Sequence, residues 1–387
     1  MFFKCNNLQN IVLPKNITTI GVHAFYGCNN LSSVTIEDGV TSIQSGAFHT
    51  TALTTIIIPD SVTSIGSHAF VNCDALTSVT IGRGVTSMEK ERTFYHCDAL
   101  TTIEIPDNVT NIPYEAFAEC PALTSVTIGD GVTIIDKRAF AECPALTSIA
   151  IGRGVTSIEE KAFFKCTALS SIELPDNVTK IPENAFSDCT ALKSVIIGDG
   201  ITKIPENAFS GCSALTSVII GKNVTEIEDK AFYECSALTS IVIPKGWIGS
   251  HAFYKCNSLE SVSLGEGVSI IGQYAFNGCK ALTTIVIPDS VFSIGSYAFE
   301  GCYFDSISIG SGVTSIGEGA FYCAFNECYC YATTPPVFSK KIIYGSAYPT
   351  YAFHFDRNAP LYVPTRCERD YYNSDWGRCF SNIIEMD

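Results

Sequence analysis

Apolar residues recur along almost the whole chain at fixed offsets from an aromatic marker. Ala139 and Phe140 open one such unit, and Cys143, Leu146, Ile149, Ile151, Val155 and Ile158 follow with polar or small residues between them. The markers Phe25, Phe48, Phe70, Phe94, Phe117, Phe140, Phe163, Phe186, Phe209, Phe232, Phe253, Phe276 and Phe299 advance in steps of 21 to 24, mostly 23. A fixed period in the twenties is the signature of a stacked repeat. Within the unit, TSIAI alternates and is rich in β-branched residues, which predicts a short strand with Ile149 and Ile151 facing inward. A turn such as Pro106-Asp107-Asn108 or Gly129-Asp130-Gly131 then reverses the chain. A second short β-like segment, VTSI, again sends Val and Ile inward. The stretch before the marker, as in Pro182 to Phe186, predicts a single helical or 3₁₀ turn that drops Ala, Phe and Cys into the core.

One such unit cannot bury its apolar face alone, whereas equivalent strands stacked at ~4.8 Å cover Leu with Leu and Phe with Phe. Leu146, Ile149 and Ile151 carry the L-x-x-L-x-L spacing of a leucine-rich repeat. The fold expected is therefore a right-handed repeat solenoid: a leucine-rich-repeat array of ~23-residue units, with short parallel β-strands, turns and single helical turns. About fourteen rungs span residues 1–330. The first is incomplete, since Phe2, Cys5 and Leu8 begin mid-rung, as a fragment would. Three departures predict local bulges: Thr51 in the cysteine slot, a unit two residues short around Trp247, and an extra start at Ala320-Phe321 before Ala324-Phe325. Residues 331–387 break the period and are rich in aromatic side chains, including Tyr344, Tyr348, Tyr351, Phe353, Phe355, Tyr362, Tyr371, Tyr372, Trp376 and Phe380. They read as a C-terminal cap over the last apolar layer; a carbohydrate-stacking platform is the alternative.

Charge and cysteine content narrow the function. The chain has 387 residues, is 46% hydrophobic and carries a formal net charge of −15. An acidic chain without a basic stripe does not fit a nucleic-acid surface. No apolar run approaches the ~18 residues of a membrane helix, and no signal peptide is visible in the opening MFFKCNNLQN. The cysteines number eighteen. Cys28, Cys73, Cys97, Cys120, Cys143 and their successors each follow the marker phenylalanine by three, which predicts small buried hydrophobes and not disulfide halves. Cys367 and Cys379 either pair in the tail or stay free.

At this point AF-x-x-C-x-x-L-T-S-I-x-I-P-x-x-V-T-x-I-G resembles the BspA-like leucine-rich-repeat family, found on surfaces of anaerobic gut and oral bacteria and of some parasitic protists. The resemblance covers about residues 1 to 330. The tail adds Leu361-Tyr362-Val363-Pro364, Tyr371 or Tyr372, Trp376, Phe380 and Ile383-Ile384, similar to the closing segment of bacterial members. What it implies is a cell-surface or extracellular adhesin that contacts host matrix, host cells or other bacteria, with a protein ligand and no membrane span. The family supplies no catalytic residues. An intracellular protein–protein scaffold is the alternative.

The residues themselves reveal no reaction centre. The six histidines fall on separated rungs, no H-E-x-x-H or Cys/His zinc spacing occurs, and neither metal nor cofactor is expected. Gly-rich pieces such as 310–319 recur as the rung turn, and aspartates such as Asp60, Asp107, Asp130 and Asp289 fit turn chemistry before they fit a calcium edge. N-x-T sequons at Asn16, Asn108, Asn177 and Asn223 fall in the same turns. The Thr-Ser pairs, as in Thr124-Ser125 and Thr147-Ser148, form a hydroxyl lattice that an ice-binding surface would also show. The outward residue of each first strand says more: Ile196, Ile219, Val242 and Val286 are apolar where Thr, Ser, Glu or Ala stand in most earlier rungs. These four are the candidate partner-binding residues.

Overall fold

The computed structural model describes residues 2–339, 352–353 and 359–386. The chain divides into two units, Met1–Ile201 and Thr202–Asp387, each built from parallel strands.

In the first unit the strands Thr55–Ile58, Ser78–Ile81, Thr102–Ile105, Ser125–Ile128 and Ser148–Ala150 lie side by side in one sheet. Ser125 pairs with Thr102 on one side and Ser148 on the other, and Val126 with Ile103 and Ile149. The register thus equals the sequence period. A slip by one residue would turn every inward Val and Ile to solvent. The VTSI segments form two-residue strands in a second sheet, such as Asn111–Ile112, Ile134–Ile135 and Ser157–Ile158. Leu123, Val126, Ile128, Val132 and Ile135 of one rung all fall in the core.

The third side of each rung is the Ala-Phe-x-x-Cys segment. Alternate amides there donate to the next rung: His23 N to Ser45 O, Phe25 N to Ala47 O and Gly27 N to His49 O, at 2.8–3.0 Å. The intervening amides of Ala24, Tyr26 and Cys28 close i+3 turns onto Gly21, His23 and Phe25. The single turn expected there therefore takes the form of linked β-turns that also make a parallel ladder. The curvature comes from left-handed residues one before Ala and one before Cys, such as Arg138 (φ 56) and Glu142 (φ 58). Few non-glycine side chains adopt this region, so the stack must hold them there.

It does so with the residues between. Phe140 is fully buried, stacked nearly parallel on Phe117 at 5.4 Å and Phe163 at 5.7 Å. Cys143 Sγ donates to Phe117 O at 3.1 Å and Cys166 Sγ to Phe140 O at 3.2 Å, a pattern that repeats along the row. Cys73, Cys97, Cys120, Cys143 and Cys166 are free, buried thiols. Burial pushes Cys73 up to about 11, against partial relief from Thr51, and holds Cys97 to Cys166 well above the ordinary thiol value. They pack as hydrophobes with one weak donor.

The departures have local solutions. Thr51 takes the cysteine slot and directs its hydroxyl to Phe48 O at 3.0 Å. Thr93 replaces the alanine before Phe94 and is fully buried, with its Oγ1 lacking a hydrogen-bond partner. An unsatisfied buried hydroxyl costs about 1–3 kcal/mol and a lost methyl-sized contact about 0.8 kcal/mol. Thr93→Ala is therefore expected to raise stability by about 1 kcal/mol, read as a higher urea midpoint at unchanged m-value.

In the second unit the shortened rung fuses both strands into one, Ser240–Ile248, paired with Ser261–Ile271 through two register shifts. The phenylalanine stack continues from Phe299 to Phe321 at 5.2 Å and then to Phe353 at 5.0 Å. Phe321 N donates to Ala352 O at 2.7 Å. Ala320-Phe321 is thus the true rung start. Ala324-Phe325 lies inside the strand Ala324–Cys330, in register with Tyr303-Phe304, and Cys328 occupies the place of Ile307.

Beyond residue 331 the coil carries on. Val337–Phe338 joins the second sheet, and Leu361–Val363 and Ile383–Glu385 extend the first. Two short helices, Glu368–Tyr372 and Trp376–Cys379, lie between them. Tyr371, Trp376, Phe380 and Phe353 are buried among one another, a packed interior unlike a sugar-stacking platform. Tyr371 donates to Ala332 O at 2.7 Å and Trp376 Nε1 to Pro336 O at 2.9 Å. Cys367 keeps a free thiol, donating to Thr333 O, so of its two expected fates it takes the unpaired one. Tyr344, Tyr348, Tyr351 and Phe355 lie outside the described residues.

Candidate binding surface

The polar rows have structural roles. Thr77, Thr101, Thr124 and Thr147 each donate through Oγ1 to the carbonyl of the threonine one rung back, at 2.9–3.3 Å. A hydroxyl whose proton is held by its own ladder does not need a water lattice to explain it. Asp107 Oδ1 accepts the Asp130 amide and Asp130 Oδ1 the Arg153 amide, so the turn aspartates clamp rung to rung. Asn177 Nδ2 reaches Arg153 O at 2.7 Å in the same way.

Charged side chains gather on the turn side of the first unit. Glu115, almost fully buried, accepts from Arg92 at 2.7 Å, Arg138 at 2.8 Å and Tyr114 at 2.9 Å. Burial alone would raise its carboxyl, but the hydrogen bonds from Arg92 and Tyr114, the Arg92 charge and the Arg138 bond outweigh that and hold it below its usual value. It reads as a clamp across three rungs. Among the described residues one group brings three possible metal ligands together: His96 Nδ1 lies 3.1 Å from Asp98 and 3.9 Å from Asp74. All three side chains are substantially exposed, and the trio carries no metal assignment by itself.

The first-sheet face holds the candidate residues. In the first unit its outward row includes Thr80, Glu104, Thr127, Ala150 and Glu173 and reaches Ile196, which is 40% exposed. Glu173 pairs in register with Ile196. In the second unit Ile219, Val242 and Val286 are 56, 61 and 66% exposed, values that leave most of each aliphatic side chain in water. Val242 pairs with Ser263, and Val286 with Ser308. The register then carries the row from Ser308 to Tyr329, Tyr362 and Ile384. Sequence reasoning missed these last three. Tyr329 and Tyr362 are 33 positions apart, so the 23-residue period does not connect them, yet their rings stack at 4.6 Å. The face offers shape and apolar contact and holds no nucleophile–base pair along this row.

The profile of a family described as the BspA type leucine rich repeat region matches in six copies, over residues 1–124, 90–213, 133–248 and 246–328. Among solved structures, the chain is similar to a leucine-rich repeat protein from Bacteroides ovatus ATCC 8483, at 27% identity and a TM-score of 0.60, over 79% of this chain and 80% of that one. It is also similar to a leucine rich cell surface protein from Faecalibacterium prausnitzii A2-165, at 30% identity and a TM-score of 0.43, over 80% and 83% of the two chains. A leucine-rich repeat protein from Eubacterium ventriosum ATCC 27560 has 29% identity and a TM-score of 0.41, over 77% and 83%. No curated protein matches the chain. No helix among the described residues is long and apolar enough to cross a membrane.

Proposed function

The chain belongs to the BspA-type leucine-rich-repeat family, and on that premise we propose that it is a non-enzymatic cell-surface adhesin that grips a host or bacterial protein through the outward face of its first sheet. The observation that carries this reading is the exposed aliphatic row. Ile219, Val242 and Val286 stand in solvent on a regular, hydrogen-bonded sheet, where Ser263 and Ser308 hold the same position in other rungs of that unit. Exposed apolar groups on a rigid scaffold contribute to association by leaving water on contact. Ile196 ends the corresponding row of the first unit and is assigned the same role.

Binding of the purified chain to intact epithelial cells, followed by flow cytometry, tests the reading. Ile219→Lys, Val242→Lys and Val286→Lys together, and Ile196→Lys separately, are expected to reduce saturable binding at least about tenfold, because a buried lysine ammonium is costly at an interface. Unchanged binding by the triple variant would remove the strand face from the proposal. A second reading, an intracellular scaffold, is favoured by the row of free buried thiols. Protease treatment of intact native cells separates the two: cleavage without lysis supports the adhesin, and protection until lysis supports the scaffold.

A further inference from the structure

The strand face of the second unit carries more than aliphatic residues. Its C-terminal half comprises Ser261–Ile271, Thr284–Ile287, Tyr303–Ile309, Ala324–Cys330, Leu361–Val363 and Ile383–Glu385. None of the residues in these strands is Lys, Arg or His. Carboxylates stand beside the apolar row instead. Glu260 immediately precedes its strand and is exposed, Asp305 is exposed, and Glu327 is half-buried in register with Ser306 and so with Thr284. Asp305 accepts from Asn326 at 3.4 Å, and no cationic side chain of these strands neutralises it. Tyr303 is also largely exposed, paired with Ala324 at the upstream end of its strand.

The row beside these acids is Val286, Ser308, Tyr329, Tyr362 and Ile384, apolar or aromatic except at Ser308. The stacked pair Tyr329–Tyr362 forms its centre, and the phenol of Tyr329 is pushed up first by its surroundings and then by the Glu327 carboxylate. Carboxylates therefore flank the strands Ser261–Ile271, Tyr303–Ile309 and Ala324–Cys330, beside a row of aliphatic and aromatic side chains that runs on to Ile383–Glu385. Six strands at ~4.8 Å cover roughly 24 Å, the length of about seven extended residues at ~3.4 Å each.

Resting on the binding reading above, we infer that this half of the face receives an extended basic segment of the partner, laid across the strands. Its Lys or Arg side chains pair with Glu260, Asp305 and Glu327, and its aliphatic side chains cover Val286, Tyr329, Tyr362 and Ile384. Charge complementarity selects the partner: an acidic segment would meet like charge and lose both affinity and encounter rate. The tyrosine pair adds ring faces and edges on which guanidinium or aliphatic groups settle.

The test uses the full chain and fluorescein-labelled decapeptides alternating Arg with Leu or Glu with Leu, with anisotropy read at 50 and 300 mM NaCl. The Arg–Leu peptide is expected to bind at least about tenfold tighter than the Glu–Leu peptide, with the advantage shrinking at the higher salt. Charge reversal at Glu260→Lys, Asp305→Lys and Glu327→Lys should abolish that preference. The same charge change placed off the face, at Glu206→Lys, Glu226→Lys and Glu234→Lys, should alter binding less than about threefold. Tyr329→Ser with Tyr362→Ser should weaken the Arg–Leu peptide about fivefold or more at both salts. Circular dichroism confirms that each variant is folded.

Equal losses from the two charge reversals would assign the effect to overall charge and overturn the inference. Failure of the unaltered chain to bind the Arg–Leu peptide would overturn it too. If the Glu–Leu peptide binds instead, and is lost on Val286→Lys, the strand face stands as a binding surface and only the partner's charge was wrong.

Discussion

Phe140→Ala is expected to lower the unfolding free energy by about 3–5 kcal/mol, the range for truncating a fully buried phenylalanine. The ring is fully buried and stacked on Phe117 and Phe163. Truncation removes its own transfer energy and strips one contact face from each neighbour, so the cavity spans three rungs. The side chain also holds the turn around it. Arg138 and Glu142 sit in the left-handed region on either side, and Phe117 N donates to Ala139 O at 2.8 Å across the gap. In a stacked array each rung contacts only its neighbours, so the damage is expected to be local before it is global. Hydrogen exchange should show faster exchange first at the Phe117 and Phe140 amides. Phe140→Leu keeps most of the volume and should cost less than about 1.5 kcal/mol. A loss below about 1 kcal/mol for Phe140→Ala would mean that the stack relaxes around the gap, contrary to close packing.

Gly131→Ala should cost about 1–3 kcal/mol although the residue lies in a half-buried surface turn. Its φ is not in the left-handed region, so backbone freedom is not the reason; space is. A Cβ there would collide with the carbonyl oxygen of Asp107 in the rung before, which is backbone and cannot rotate away. The same carboxylate residue clamps the next turn through its side chain, Asp107 Oδ1 accepting the Asp130 amide at 2.9 Å. Opening the rungs to admit a methyl group would stretch that bond and the Thr133 N to Thr110 O bond nearby, also 2.9 Å. Asn108→Ala is the control. It adds no Cβ and removes only the hydrogen bond from Asn108 Nδ2 to Arg83 O, worth about 1 kcal/mol. Urea unfolding of both variants reads the difference, and equal effects would show that the close approach at Gly131 is not a constraint.

Much of the candidate surface was legible in the sequence. Ile219, Val242 and Val286 are outward because each lies between two inward residues of a strand, and alternation alone predicts that. Val242 and Val286 follow that alternation in the structure, with exposed and buried residues taking turns along Ser240–Ile243 and Thr284–Ile287. Tyr329, Tyr362 and Glu327 were not legible as part of it. The spacing that identifies a rung runs on from Phe299 to Phe321, a step of 22, and breaks after Phe321, while Ala324-Phe325 imitates a rung start and belongs instead to a strand. The step of 22 favours Phe321, but that Phe325 pairs with Phe304 and that the stack resumes at Phe353 is settled by what packs beside them.

The sequence by itself determined the repeat, its period, the parallel register and the division of inward from outward residues. The physical reason is that in-register stacking makes the period and the register the same quantity, so reading one reads the other. Only the tertiary structure decided the form of the Ala-Phe turn, because left-handed residues such as Arg138 and Glu142 are unfavourable alone and persist where the next rung accepts their hydrogen bonds. It also decided that Ala352-Phe353 resumes the stack beyond Phe321, and that two tyrosines 33 positions apart share one surface. Contacts across an irregular gap depend on how the chain closes on itself, and no period announces them.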